Sequence, residues 1–247
     1  MEFIKSTQNT LIKRIVTLKD SKGRRETGLF VAEGVRIVKD GGVPIYLFVD
    51  SEHVDFGESY DSLTNVYVVS DEVMLKLSDT KSPQGVVAVY KIPEGKDFDM
   101  LGDRAIVLDG VTDPGNVGTI IRTAVACGYT DVYLINCADV YSPKVVRSTM
   151  SGIFSARLNV LDHEELKKVL TKRGAKIYSL DMNGVSIFNK EIEPPYALLV
   201  GSEAHGISEW AKKNSDGIVS LPMEGDIESL NAGVSASVAM YVTRYNK

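Results

Sequence analysis

Hydrophobic and polar positions along this chain switch between two rhythms, short apolar runs and stretches of helical spacing. In NTLIKRIVTLKD, Leu11, Ile12, Ile15, Val16 and Leu18 recur at helical spacing, with Lys and Arg on the other side. SKGRRETG reads as a turn or mobile loop. LFVAEG is a short strand, and VRIVKDGG a helix stopped by Gly41 and Gly42. PIYLFVD and NVYVVS, rich in β-branched and aromatic residues, read as buried strands. DEVMLKLSDT predicts a helix with Asp71 as its N-cap, and GVVAVYK another strand. These elements make an α/β unit over residues 1–92. The polar stretch that follows, holding Pro93, Gly95 and Gly102, predicts a linker over residues 93–103.

From residue 104 to 247 the alternation sharpens. Strands AIVLDG, DVYLIN, AKIYSL, YALLVG and GIVSLP are interspersed with helices in VGTIIRTAVACG, SPKVVRSTMSG, HEELKKVLTKRG, ISEWAKKN and AGVSASVAMYVTRY. That order predicts an α/β fold with parallel βαβ units. The strands are apolar throughout, as in a sheet covered on both faces. The last helix carries Val234, Val238, Tyr241, Val242 and Tyr245 on one stripe.

Composition narrows the class. The chain has 247 residues, 44% hydrophobic and 25% charged, and can bury a core without staples. Two cysteines, Cys127 and Cys137, are too few for a disulfide scaffold and are expected as buried thiols. The opening MEFIKSTQNT lacks the apolar run of a signal peptide, and no run of about 18 apolar residues occurs. A cytoplasmic protein without a membrane span is expected. Net charge is −5, yet residues 1–39 carry nine Lys/Arg against four acids. Residues 40–75 carry eight acids and no Lys or Arg. Such a basic head on an acidic chain marks either a polyanion-binding face or a solvated helix.

Ligands of open α/β sheets bind beyond the carboxyl ends of the strands, and three loops there have unusual composition. DGVTDPGNVG lacks the G-x-G-x-x-G of dinucleotide sites. Its Asn116 stands where an N-cap belongs. Val117, Ile120, Ile121, Ala124 and Val125 form the buried stripe, with Arg122 about 140° from Val117 and off it. LLVGSEAHGIS sets Glu203 between Gly201 and Gly206, where backbone can approach a ligand closely. Glu203 suits either a cationic or hydroxyl partner or the helix dipole, and His205 reads as a loop residue. No metal-ligand spacing occurs. SLPMEGDIESLNAG brings Ser229, Leu230 and Asn231 to the start of the last helix, where Ser229 and Asn231 also suit capping.

Together, DPGNVGTIIRTA, LVGSEAHGIS and LPMEGDIESLNAGVSASVAMY resemble, in order and spacing, motifs 1, 2 and 3 of the SpoU/TrmH family of RNA ribose 2′-O-methyltransferases in the SPOUT superfamily. With the strand that leads into the first, the resemblance spans residues 106–241. The segment NTLIKRIVTLKDSKGRRETGLFVAEGVRIV resembles the L30e-like substrate-binding domain of many members, a less specific match. The resemblance implies a parallel sheet with a deep trefoil knot, S-adenosylmethionine held in that knot, and a homodimer whose active site is completed across the interface, Tyr241 and Tyr245 among its residues. It assigns catalytic positions to Asn116, Arg122, Glu203, Ser229 and Asn231. It assigns cofactor contacts to Leu199, Val200, Gly201, Leu221, Met223, Ser229, Leu230 and Asn231. RNA would meet Lys13, Arg14, Arg24, Arg25 and Arg147, the last matching an arginine of members that modify ribosomal RNA. The departure from the pattern is Ala232-Gly233, where many members carry a valine; it falls inside the helix start and is expected to change little.

The implied reaction is an in-line transfer of methyl from a sulfonium to a ribose hydroxyl. Arginine hardly ever deprotonates, so Arg122 is expected to fix a phosphate and stabilise the developing alkoxide rather than act as base. Ribosomal RNA, 23S foremost, is the expected substrate, with transfer RNA and a catalytically silent RNA-binding protein of the same fold as alternatives.

Overall fold

The computed structural model describes residues 1–93, 102–225 and 229–245. Most of the linker expected over 93–103 therefore lies outside the described residues. The strands are β1 (Glu2–Ile4), β2 (Leu29–Glu33), β3 (Tyr46–Val49), β4 (Asn65–Val69), β5 (Val86–Lys91), β6 (Arg104–Asp109), β7 (Asp131–Ile135), β8 (Arg157–Val160), β9 (Lys176–Ser186), β10 (Tyr196–Val200) and β11 (Gly217–Ser220). The helices are α1 (Thr10–Val16), α2 (Ser21–Thr27), α3 (Val35–Asp40), α4 (Val54–Glu58), α5 (Asp71–Leu77), α6 (Pro114–Ala126), α7 (Pro143–Ser148), α8 (His163–Arg173), α9 (Glu209–Asn214) and α10 (Ala232–Tyr245).

The chain divides into two compact units, Met1–Glu94 with Asp139–Ser151, and Gly95–Ala138 with Gly152–Lys247. The first unit is built on a five-stranded sheet of order β1-β4-β3-β5-β2, in which β5 runs antiparallel to both β2 and β3. Ile12, Ile15 and Leu18 pack with Phe48, Val73, Leu77, Val87 and Val89 in its core. SKGRRET is helical, not a loop. Its Gly23 lies so close to Thr17 that an added Cβ would stand 2.2 Å from the Thr17 carbonyl oxygen. A helix with one glycine inside and hardly an apolar residue gives no periodic signal. Ser70, not Asp71, caps α5; Asp71 falls in the first turn, where its charge suits the dipole. Asp139–Ser151 joins this unit although its sequence lies within the span read as the second domain. Tyr141 sets its ring 5.1 Å from that of Phe30, and Asp139 pairs with Arg24.

The second unit carries a six-stranded sheet of order β11-β9-β10-β6-β7-β8, parallel throughout. Ala105, Val107, Tyr133, Ala197 and Leu199 are buried against α8 and α9. β9 continues past AKIYSL to Ser186, and the register against β11 shifts between Ile218 and Val219. Gly184 permits that passage, since a Cβ there would lie 2.6 Å from Val219 carbonyl carbon. β8, absent from the sequence reading, is an edge strand whose Val160 is exposed.

The buried face of helix α10 is Gly233, Ala236, Ala239 and Met240. Small residues there let it lie close to α6, where Thr123 Oγ1 and Ser237 Oγ stand 2.9 Å apart. The stripe of Val234, Val238, Tyr241 and Tyr245 is exposed. Farther along, Tyr129 hydroxyl lies 2.7 Å from Tyr196 hydroxyl and 2.6 Å from Thr243 Oγ1.

Candidate functional site

All six strands of the second unit are parallel, so their carboxyl ends share one edge. The chain leaves β6 toward β7 on one side, while β10, hydrogen-bonded to β6, continues toward β11 on the other. The gap between the loops after β6 and β10 is therefore a topological switch point, where such sheets bind ligands.

Glu203 joins those two loops. The chain after β10 turns back on itself through paired backbone bonds, Ser202 N donating to Gly206 O (2.9 Å) and Gly206 N to Ser202 O (2.8 Å). Gly206 has φ +66°, and a Cβ on Gly201 would meet Gly206 O at 2.2 Å. Both glycines are thus required by the turn. At its tip the Glu203 carboxylate accepts from Asn116 Nδ2 (3.0 Å), Thr112 N (3.3 Å) and Asp113 N (3.4 Å). Burial works to raise the Glu203 carboxyl, but these bonds and one from its own backbone outweigh it and hold the group below its ordinary value.

Asn116 is not the cap of α6. Asp113 is, its Oδ1 accepting from Asn116 N (2.9 Å), with Pro114 opening the helix. Capping by Asp113 leaves the Asn116 carboxamide free for Glu203. Asn231 does cap α10, accepting from Gly233 N (2.9 Å) and Val234 N (3.2 Å). Gly233 brings the two amides together. A Cβ at that position would stand 3.2 Å from Asn116 Oδ1 and 3.2 Å from Asn231 Oδ1. Asn116, Glu203 and Asn231 therefore form one cluster.

Among the described residues, no hydrogen bond joins the other expected residues to it. Arg122 is exposed on α6, about 9 Å farther along the axis than Asn116 by helical rise. The backbone of Gly152 packs beneath it; a Cβ on Gly152 would lie 3.4 Å from Arg122 Cα. Ser229 and Leu230 are exposed, and Leu221 and Met223 half-buried, in irregular chain next to residues 226–228, which lie outside the described residues. Leu199 and Val200 put their side chains into the core, leaving backbone near Gly201 as the part that could meet a ligand.

Asp109, at the end of β6, was not read from the sequence. It is buried and accepts from Ser208 Oγ (2.6 Å), and His163 Nε2 lies 3.0 Å away. The His163 ring stacks on Trp210 at 4.6 Å. This arrangement pins the starts of α8 and α9 to the strand end. Nothing but an acid closing an apolar strand could have signalled it.

In the first unit, Lys13, Arg14 and Arg25 are exposed. Arg24 is not: it is 3% exposed, donating to the carbonyls of Leu18 (2.6 Å) and Lys19 (2.8 Å) and to Asp139 Oδ2. Its guanidinium is spent inside the protein, which removes it from the RNA-facing set. Arg147 is half-buried with Asp79 at 3.7 Å. Among the described residues no group of three or more His, Cys, Asp or Glu could hold a metal ion, and no helix is long and apolar enough to cross a membrane.

Residues 103–241 match the family model of the SpoU rRNA Methylase family, and residues 9–88 that of the MRM3-like substrate binding domain. The chain is 30% identical, over 99% of its length and 100% of the relative's, to the 23S rRNA (guanosine(2553)-2′-O)-methyltransferase RlmP of Bacillus subtilis. Among solved structures it resembles an AdoMet-bound rRNA methyltransferase from Sinorhizobium meliloti, with TM-score 0.89 and 26% identity over 99% of this chain and 98% of that one. It likewise resembles the SpoU methyltransferase AviRb from Streptomyces viridochromogenes in complex with AdoMet, with TM-score 0.88 and 26% identity over 97% and 98%. The family match covers the strand ends that carry Asn116, Glu203 and Asn231, and this chain belongs to the SpoU rRNA methylase family.

Proposed function

We propose that this protein transfers a methyl group from S-adenosylmethionine to a ribose 2′-hydroxyl of 23S ribosomal RNA, in the cytoplasm. The observation that carries the reading is the Asn116–Glu203–Asn231 cluster at the switch point of the sheet. The names of RlmP and of the AdoMet-bound structures support the substrate and the cofactor.

The residues present suit the cofactor. Backbone from Gly201 and from Leu221, Met223 and Leu230 lies in irregular chain beyond β10 and β11, where an adenosine can take backbone hydrogen bonds. When bound, S-adenosylmethionine supplies an electrophilic methyl group. Asn116 and Asn231 carry carboxamides able to orient the ribose, and Glu203 fixes Asn116 and the turn at Thr112-Asp113. Ser229 can donate from the same loop. Arg122 anchors the neighbouring phosphate and stabilises negative charge growing on the 2′-oxygen. The rate gain comes chiefly from holding two reactants in line.

The separation of Arg122 from the cluster supports a site completed by a second copy of the chain. The exposed stripe of Val234, Val238, Tyr241 and Tyr245 supports the same reading, because large apolar residues aligned on one helix face mark an interface. The knotted path of the C-terminal segment belongs to this proposal, supported by the likeness of the whole chain to solved SpoU methyltransferase structures.

The test is transfer of labelled methyl from S-adenosylmethionine into unmodified ribosomal and transfer RNA, with Arg122→Ala alongside. The expected result is label in ribosomal RNA, abolished in the variant. Label in transfer RNA alone would replace the substrate, and no label in either would overturn the enzymatic reading.

A further inference from the structure

The first unit holds a cavity of about 100 Å³ whose lining includes Glu33, Arg36, Gln84, Arg147, Met150 and Ser151. One buried water needs only about 10–15 Å³, so the space admits a ring. Several features of its wall ask for a ligand. Ser151 is 8% exposed, and its hydroxyl has no hydrogen-bond partner, an uncompensated desolvation that a polar ligand atom would relieve. Met150 and Ser151 hold consecutive positive φ values, 48° and 78°. Side-chain-bearing residues adopt that conformation reluctantly, and such strain gathers at binding sites.

Glu33, also in the lining, is fixed in place. Its Oε1 accepts from Ser78 Oγ (2.7 Å), Thr80 Oγ1 (3.1 Å) and Gln84 N (3.2 Å). None of these bonds uses Oε2, which has two lone pairs. The Gln84 side chain lies over Gly34, where a Cβ would stand 2.3 Å from Gln84 Oε1. Arg36 is exposed, and the 3.7 Å between Arg147 and Asp79 is longer than a charge-assisted hydrogen bond.

We propose that this cavity takes an unstacked guanine of the RNA, with Glu33 accepting from its N1–H and 2-amino group and Arg36 and Arg147 holding the flanking phosphates. Sequence-specific readers of RNA draw splayed bases into such recesses and bond their Watson–Crick edges. Only guanine presents two adjacent donors on that edge; cytosine, adenine and uracil each place an acceptor beside a donor. The buried Ser151 hydroxyl supplies a further polar contact, and Met150 an apolar surface for the ring. The inference rests on the RNA-methylating reading above.

Fluorescein-labelled RNA heptamers UUUGUUU and UUUAUUU, titrated into the full chain and followed by anisotropy, test it. Wild type binds the guanine heptamer about tenfold tighter or more, the discrimination a bidentate base contact gives. Glu33→Gln erases the preference, Ser151→Gly narrows it, and Arg36→Gln weakens both heptamers alike. Melting curves identify any variant that fails to fold; if Glu33→Gln is one, Ser151→Gly decides. Equal binding of the two heptamers by wild type, or a preference that survives in the folded variants, overturns the proposal. Equal binding alongside methyl transfer into ribosomal RNA would remove the cavity's role and leave the methyltransferase; a guanine preference without any transfer would do the reverse.

Discussion

Replacing Glu203 by glutamine isolates the contact that joins the two loops at the switch point. Glutamine keeps the shape and loses the charge. Its oxygen can still accept from one donor, but its amide would face another. Of the three bonds to Glu203, only that from Asn116, at 3.0 Å, is within ordinary length; those from Thr112 and Asp113 are 3.3 and 3.4 Å. A bond to a charged acceptor contributes roughly 1.5–3 kcal/mol, and exposure of Glu203 screens much of that. A net loss of about 1 kcal/mol of stability is expected. Displacement of Asn116 would carry the loss in kcat/KM toward about 100-fold. The pH dependence gives an independent check. The folded Glu203 carboxyl lies below its ordinary 4.5. Its contribution to stability is therefore complete above that value and fades as pH falls through the folded one. The difference in melting temperature between wild type and Glu203→Gln should be constant from about pH 6 to 8 and shrink in acid below the ordinary carboxylate value. Unchanged methyl transfer in the variant, or a melting difference undiminished in strong acid, would refute the role given to this carboxylate.

Arg24→Ala strands the carbonyls of Leu18 and Lys19 and the Asp139 carboxylate. It should cost roughly 2–4 kcal/mol in urea unfolding, and Arg24→Lys should not restore it, because one ammonium cannot reproduce the fork. Val238→Asp, on the exposed face of α10, should turn a dimer into a monomer in sedimentation velocity while leaving the α/β circular dichroism intact; a wild type that sediments as a monomer removes the dimer reading. Burial pushes the Cys137 thiol up to about 11 and raises that of Cys127 as well. Neither should be alkylated by iodoacetamide at pH 8 in the native protein, and both should react in urea.

The elements legible in the sequence were those whose local chemistry agrees with their place in the fold. Apolar runs such as AIVL and YALLV became central parallel strands because both faces of the sheet are covered. Where a tertiary contact decides, the reading failed. In α2, Gly23 packs closely on Thr17, and nothing in the helix's own composition announces it. On α10, periodicity identified the exposed stripe, but not the small residues beside it that pack against α6. Charge counting failed similarly at Arg24, since a count cannot distinguish a surface guanidinium from one closing on Asp139. Glu203 and Asn116 were legible as residues, but their mutual bond spans 87 positions.

Gly233 shows what residue types alone withhold. In the sequence it is a small departure inside a helix start. In the structure it is the floor between Asn116 and Asn231. Alanine there would place its Cβ 3.2 Å from each carboxamide oxygen and 3.4 Å from Thr119 Cβ. Each neighbour must then yield by a few tenths of an ångström. Both oxygens belong to side chains that can turn, so the fold can absorb the change. Alanine also favours the helix by up to about 1 kcal/mol over glycine, less in a first turn. Stability should hold or rise slightly while catalysis suffers. Asn116 cannot shift without loosening its bond to Glu203, and Asn231 cannot shift without loosening the cap of α10. The expected result for Gly233→Ala is an unchanged or slightly higher melting temperature with kcat/KM reduced about tenfold or more, as sub-ångström misplacement at a reacting centre implies. A variant equally stable and fully active would mean that Asn116 and Asn231 need not be held together for methyl transfer.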